Sequence, residues 1–222
     1  MSLRPATMLF LLITLGIPLT LHASEPELPD DRTVSALLAG ADPAPAATAA
    51  TGLGAACDAT RDAGMCYRAA HARYVQAAIA LRGDRDAAIT ALVDCSVRLA
   101  PVVADPAWAA EAKALLSGCY GMTIALNPMK GMTLGPDSAR LVAEALDAAP
   151  DNPRVHYFAA MRLARTPPAW GGDPVKALAR AQRAQALAVA APADAMPGWG
   201  AAEAAYLIGE LEAKAKAKSA GR

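Results

Sequence analysis

A proline at the start of a predicted helix recurs along this chain at a nearly constant spacing. Three such starts are Asp105-Pro106-Ala107-Trp108, Asn152-Pro153-Arg154-Val155 and Met196-Pro197-Gly198-Trp199, and their prolines are 47 and 44 residues apart. Counting back a further ~45 residues from Pro106 reaches Arg61, at the start of the first long helix. The spacing predicts an internal repeat of two helices with an incomplete last copy, which is typical of an α-solenoid. A coincidental series of proline-capped helices in an irregular bundle is the alternative interpretation.

The segment from Pro150 to Leu187 shows the two-helix unit most clearly. Asn152 is a natural N-cap, and Pro153 has no backbone N–H to lose in the first helical turn. These residues predict a helix over 153–165, which the run 166–168 ends, and a second helix from Asp173-Pro174 to about residue 188. The remaining helices are predicted upstream, over 60–81, 85–99, 106–126 and 139–149.

Composition supports the same fold class. Alanine, the residue with the highest helix propensity, makes up 58 of the 222 residues, whereas Phe, Trp and Tyr together number only ten. A core poor in aromatic rings suits close helix-on-helix packing. The sequence therefore predicts an all-α protein and excludes an all-β fold.

The first 23 residues have the pattern of a secretory signal peptide. Arg4 precedes a short apolar run, and Ala23 is a plausible last residue before cleavage. An uncleaved membrane anchor is the alternative. We expect export to a bacterial periplasm and no stable membrane insertion after cleavage. Cleavage removes Arg4 and no acid, so 20 basic residues face 21 acidic ones, a balance that argues against nucleic acid or an anionic membrane as a partner.

Two low-complexity segments flank the helical domain predicted over residues 60–216. Residues 24–59 are rich in Pro, Ala, Thr and Gly and are expected to form a mobile leader, with one short helix over 32–39 in which Val34, Leu37 and Leu38 could dock. Residues 217–222 are expected to be a solvated basic tail.

Cys57, Cys66, Cys95 and Cys119 are an even set of cysteines in a chain expected to be exported, which favours disulfides over a metal site or buried thiols. The expected helix lengths favour a bridge from Cys66 to Cys95. Proximity in sequence favours Cys57 with Cys66 and Cys95 with Cys119. Both pairings stay open at this stage.

Several residues together resemble tetratricopeptide repeats. Residues 74–101, with Tyr74, Gly83-Asp84, Leu92 and Leu99, look like one repeat, and residues 172–184 look like the second helix of another. The loop Thr166 to Gly172 is similar to the Thr-Pro then aromatic-Gly-Gly loop of exported bacterial proteins of this type. The resemblance implies a right-handed α-solenoid of about three to four hairpins that holds a peptide, a protein surface or a small ligand without catalysis.

No catalytic motif is present, so we expect no enzyme activity, no cofactor and no metal site. His71 follows Cys66 by five residues, and a Cys/His nucleophile pair is conceivable. We interpret Cys66 instead as oxidised and His71 as a partly exposed helix residue.

Two functions therefore compete. The leading one is a periplasmic scaffold for a protein or peptide partner. The alternative is an accessory small-ligand-binding subunit of an uptake or envelope-processing system, with a pocket lined by Trp108, Trp170 and Trp199. Trp170 with Gly171 and Gly172 is predicted to be a recognition loop, although Trp170 folded back over Tyr157 and Met161 would only seal the hairpin. His156, beside Tyr157, is predicted to be a neutral imidazole that packs beneath this loop.

Overall fold

The computed structural model describes residues 27–40, 42–192, 195 and 197–220. The expected signal peptide and its cleavage site lie outside these residues. The described part is all-α, as the composition predicted, and contains no strand. It has nine α-helices: α1 Asp31–Ala36, α2 Ala44–Thr60, α3 Ala63–Ala80, α4 Arg85–Val102, α5 Ala109–Leu126, α6 Gly131–Ala148, α7 Pro153–Arg165, α8 Pro174–Ala190 and α9 Ala201–Ala220.

Side-chain caps fix most of the helix starts. Asp62, Asp84, Asn152 and Asp173 each accept a hydrogen bond from a backbone N–H in the first turn of α3, α4, α7 and α8. Each cap satisfies amides that a helix start would otherwise leave unpaired. The predicted bounds of α7 are confirmed, and those of α4 and α8 differ only at their last turn.

Repeated helical hairpins build the described part of the chain. Each helix from α2 to α9 packs on its neighbours in sequence, and α3, α5, α7 and α9 also pack on one another in series. These helices approach closely at Gly118 of α5, where a Cβ would lie 2.5 Å from the Phe158 ring of α7 and 3.1 Å from the Tyr74 ring of α3. The core as a whole consists mostly of Ala, Leu and Val, but aromatic rings gather at this point, where Phe158 contacts Tyr74, Tyr157 and Trp199.

The expectation of a mobile leader over residues 24–59 is wrong where the structure describes it. Residues 44–60 form α2, which buries Ala50, Leu53 and Cys57 against α3. The small apolar residues of this segment recur at helical spacing, so its low complexity conceals a packing face. The predicted short helix is present as α1 with a 3-10 turn after it, and Val34 is buried.

Several other boundaries also differ from the prediction, and α3 and α5 each begin three residues later than expected, at Ala63 and Ala109. α6 begins at Gly131, not near residue 139, and it contains Pro136 in its interior, where the proline lacks the N–H for one backbone hydrogen bond. α9 continues to Ala220, so the described part of the basic tail is helical and residues 221–222 lie outside the description.

The disulfides join Cys57 to Cys66 and Cys95 to Cys119, so the preference for Cys66 with Cys95 was wrong. Cys57 lies three residues before the end of α2 and Cys66 three after the start of α3, which places them side by side in adjacent helices. Cys95 is about 10 Å from the end of α4 and Cys119 about 15 Å from the start of α5, at 1.5 Å per residue. The prediction failed because it missed α2 and ended α4 three residues too early.

Candidate functional site

A groove of about 550 Å³ opens between α6 and α8, with α7 between them. We call it the α6–α8 groove. Its apolar lining consists of Ala139, Val142, Ala143, Leu146, Ala159, Leu163 and Ala179, and its charged lining of Arg162, Lys176, Arg180 and Arg183.

Helical periodicity explains the lining. The α6 positions 139, 142, 143 and 146 share one face of that helix, and the α8 positions 176, 179, 180 and 183 share one face of the other. The opposite side of α8 packs into the core through Ala177, Ala181 and Ala184, which are fully buried. The two helices therefore turn their lining residues toward the same space.

The groove lining carries positive charge, because it contains four cationic side chains and no acidic one. Lys176 pairs with Asp173 at 3.4 Å and Arg183 with Asp151 at 2.7 Å. Both pairs lie at the surface, where an ion pair contributes little to stability. The Arg162 guanidinium makes no hydrogen bond or ion pair with any other described residue. The arrangement suits an apolar molecule that carries a negative group.

Arg180, the fourth cationic residue of the lining, contacts His156. His156 is 4% exposed, its Nε2 lies 2.7 Å from the Pro150 carbonyl oxygen, and its Nδ1 lies 3.2 Å from a terminal nitrogen of Arg180. Burial lowers the pKa of His156, and the nearby Arg180 and Arg183 act in the same direction. The imidazole is therefore neutral, as predicted, but it lies at the start of α7, at the opposite end from the Trp170 loop.

The three tryptophans do not form one pocket. Trp199 is buried and stacks on His71, with ring centroids 4.3 Å apart, while Trp108 lies 5.1 Å from Tyr67. Trp170 is 66% exposed between α7 and α8 and makes no ring contact with the described residues. It therefore does not fold back as a seal. Tyr157 is buried in the core against Phe158 and Trp199.

Both glycines of the Trp170 loop are needed by its backbone. Gly171 has φ +90°, a conformation that other residues rarely adopt, and a Cβ on Gly172 would lie 1.7 Å from the Thr166 carbonyl oxygen. Backbone hydrogen bonds from Gly172 to Pro167 and from Asp173 to Leu163 close the base of the loop. The loop thus presents Trp170 to solvent on a defined backbone.

Cys66 and His71 do not form a nucleophile pair, because Cys66 is in a disulfide and has no free thiol. Cys66 is oxidised, as predicted, but the expectation that His71 is partly exposed was wrong, since the side chain is 1% exposed. Burial and the Arg154 charge lower the pKa of His71 to about 3. His71 is a neutral core residue covered by Trp199 and by Ser35, whose Oγ lies 3.5 Å from Nε2.

A buried ionic cluster lies at the starts of α5 and α7 and was not predicted. Glu111 accepts hydrogen bonds from Tyr67, Asn152 and Arg154, and Arg154 also donates to the carbonyl oxygens of Pro197 and Trp199. Every charge in this cluster has a partner, so it acts as a structural cross-link. No local sequence pattern could reveal it because the partners are more than 40 residues apart.

The described ranges hold neither a metal-ligand cluster nor a membrane-spanning helix. No group of three His, Cys, Asp or Glu residues in them could hold a metal ion. None of the described helices is both long and apolar enough to cross a bilayer.

Comparison with known proteins gives one structural likeness. No protein-family model matches the chain, and no curated protein matches it. Among solved structures, the chain is similar to the HusA haemophore from Porphyromonas gingivalis, with 28% sequence identity and a TM-score of 0.58. The alignment covers 83% of this chain and 91% of the haemophore. This chain therefore has a haemophore as a structural neighbour over most of its length.

Proposed function

We propose that the protein is an exported, non-catalytic binding protein that holds haem or a related tetrapyrrole in the α6–α8 groove. The observation that carries the proposal is the combination of an apolar lining with four cationic side chains in one concave site. The likeness to a haemophore over most of both chains supports the same class of ligand.

The lining fits the two parts of such a ligand. A tetrapyrrole has a flat apolar ring, which the Ala, Val and Leu side chains can cover, and it carries carboxylates at one edge. Arg162 and Arg180 can donate charge-assisted hydrogen bonds to those carboxylates. A volume of about 550 Å³ lies within the range of small-molecule sites.

The lining offers no ligand to the iron. It contains no His, Met, Cys or Tyr, the side chains that usually hold haem iron. Both ring nitrogens of the adjacent His156 are already engaged. The groove would therefore bind the tetrapyrrole through its ring face and its carboxylates.

The two disulfides support export, because structural disulfides persist in oxidising compartments. A cleaved signal peptide over residues 1–23 and a periplasmic or extracellular location belong to the proposal.

A second candidate function is docking of a protein or peptide partner on a tetratricopeptide-like scaffold. The observation in its favour is Trp170, which is largely exposed on a constrained loop. A large aromatic on such a loop loses little entropy when a partner covers it.

Haemin titration tests the proposal, with the Soret band as readout. Ala179→Glu places a negative charge in the groove, and Gln182→Glu places the same charge on an exposed part of α8 that does not line it. We expect wild-type protein to bind haemin, Ala179→Glu to weaken binding by about tenfold or more, and Gln182→Glu to bind as wild type. Absence of haemin binding by the wild-type protein, or equal losses in the two variants, would contradict the proposal.

A further inference from the structure

A short chain of hydrogen bonds runs from the backbone at the start of α7 to the α6–α8 groove. The Pro150 carbonyl oxygen lies 2.7 Å from Nε2 of His156, and Nδ1 of the same ring lies 3.2 Å from a terminal nitrogen of Arg180. Arg180 lines the groove, whereas His156 does not.

The direction of these bonds follows from chemistry. A carbonyl oxygen can only accept, so Nε2 carries the ring proton and donates it to Pro150. A guanidinium can only donate, so the lone pair of Nδ1 accepts from Arg180. Both bonds can form together only when His156 is neutral and in this single tautomer.

This geometry distinguishes Arg180 from Lys176 and Arg183. The Lys176 and Arg183 side chains are 76% and 51% exposed and pair with the exposed acids Asp173 and Asp151. The Arg180 side chain is half-buried, and the ring beside it is neutral, so its charge is not cancelled by that contact. A guanidinium held by one N–H keeps its other N–H groups for a carboxylate and loses less entropy on binding.

We propose that His156 is a positioning residue that orients Arg180 to bind a carboxylate of the ligand in the α6–α8 groove. The inference rests on the function proposed above. It adds that Arg180, one of the two arginines proposed to bind carboxylates, is oriented by a residue of α7.

The test compares protoporphyrin IX with its dimethyl ester, because the ester keeps the ring and lacks the carboxylates. Three variants are titrated with each by porphyrin fluorescence. His156→Asn retains an acceptor near the position of Nδ1, His156→Phe fills the site without an acceptor, and Arg180→Met removes the guanidinium.

We expect the affinity for the acid to fall about tenfold in His156→Phe and in Arg180→Met, and by less than about threefold in His156→Asn. The double variant His156→Phe/Arg180→Met should show no further loss, since both changes remove one interaction. The affinity for the ester should change by less than about threefold in all variants.

Three results would overturn the inference. The first is an unchanged affinity for the acid in Arg180→Met. Because Arg180 is half-exposed, this variant tests the inference even if His156→Phe fails to fold. The second is a parallel loss for acid and ester, which would give His156 a purely structural role. The third is wild-type protein that binds neither porphyrin, which would remove the proposed function as well. The first two results, with wild-type protein that binds porphyrin, would remove this inference alone.

Discussion

Arg154 and Glu111 form a buried ion pair, with Nε of Arg154 2.8 Å from Oε1 of Glu111, although 43 residues separate them in sequence. The same guanidinium donates to the Pro197 carbonyl oxygen at 2.9 Å. One side chain thus ties the start of α7 to α5 and to the segment that leads into α9. The helices that pack in series are joined here by charge as well as by apolar contact.

Removing the charge of Glu111 should therefore destabilise the fold strongly. Glu111→Gln leaves Arg154 buried without its counter-ion, and we expect a loss of about 3–5 kcal/mol in the free energy of unfolding. Urea denaturation measures it. Glu144→Gln is the control, because Glu144 pairs with Lys113 and Arg140 at the surface and should have a much smaller effect. Equal losses in the two variants would contradict a structural role for the buried pair.

Replacing two glycines of α5 with alanine should change the free energy of unfolding in opposite directions. Gly118→Ala would press a methyl group into the Phe158 ring, and we expect it to cost about 1–3 kcal/mol. A Cβ on Gly121 would meet no atom within 4 Å, so Gly121→Ala should stabilise the helix by up to about 1 kcal/mol. Thermal unfolding of both variants checks the pair. A stabilised Gly118→Ala would show that α5 and α7 are not in close contact there.

His71 should make stability depend on pH. Its pKa in the folded protein is about 3 and its ordinary value is 6.5, so the unfolded state takes up the proton first as the pH falls. The free energy of unfolding should therefore decrease between about pH 6.5 and pH 3, by at most about 1.4 kcal/mol per pH unit. His71→Phe keeps an aromatic ring against Trp199 and cannot titrate. Chemical denaturation from pH 7 to pH 5 should give a smaller slope for this variant, and identical slopes would refute the role of His71.

Replacing Trp170 or Trp199 with alanine should lower the free energy of unfolding by very different amounts. Trp170 is 66% exposed, so Trp170→Ala should change the free energy of unfolding by less than about 0.5 kcal/mol. Trp199→Ala removes a buried ring stacked on His71 and should cost about 3–5 kcal/mol. Melting temperatures measure both. A large loss for Trp170→Ala would mean that the loop seals the α7–α8 hairpin and would argue against a partner surface there.

The disulfide pairing is directly testable by peptide mapping without reduction. We expect Cys57 linked to Cys66 and Cys95 linked to Cys119. Loops of 9 and 24 residues predict stabilisation of about 2.6 and about 3.4 kcal/mol in the chain-entropy treatment. Replacing Cys95 and Cys119 together with serine should therefore cost more than replacing Cys57 and Cys66. A Cys66 to Cys95 peptide would contradict the helix packing described above.

The sequence alone determined the fold class and the starts of α4, α7 and α8, because helix capping is a local interaction. Asn152 and Asp173 accept from amides two and three residues ahead, so the starts of α7 and α8 are readable from a few letters. The start of α2 was missed although the Asp42 side chain accepts from the Ala44 N–H there, because the alanine-rich face of α2 gains its stability from packing on α3.

Only the tertiary structure decided the groove, the disulfide pairing and the roles of the aromatic residues. The spacing of the α6 and α8 lining positions is visible in the sequence, but which face stays open depends on how both helices pack on α7. His156 and Arg180 meet across 24 residues of sequence, and Glu111 and Arg154 across 43. Such contacts leave no local pattern, because they arise from the relative placement of whole helices and not from the conformation of any one segment.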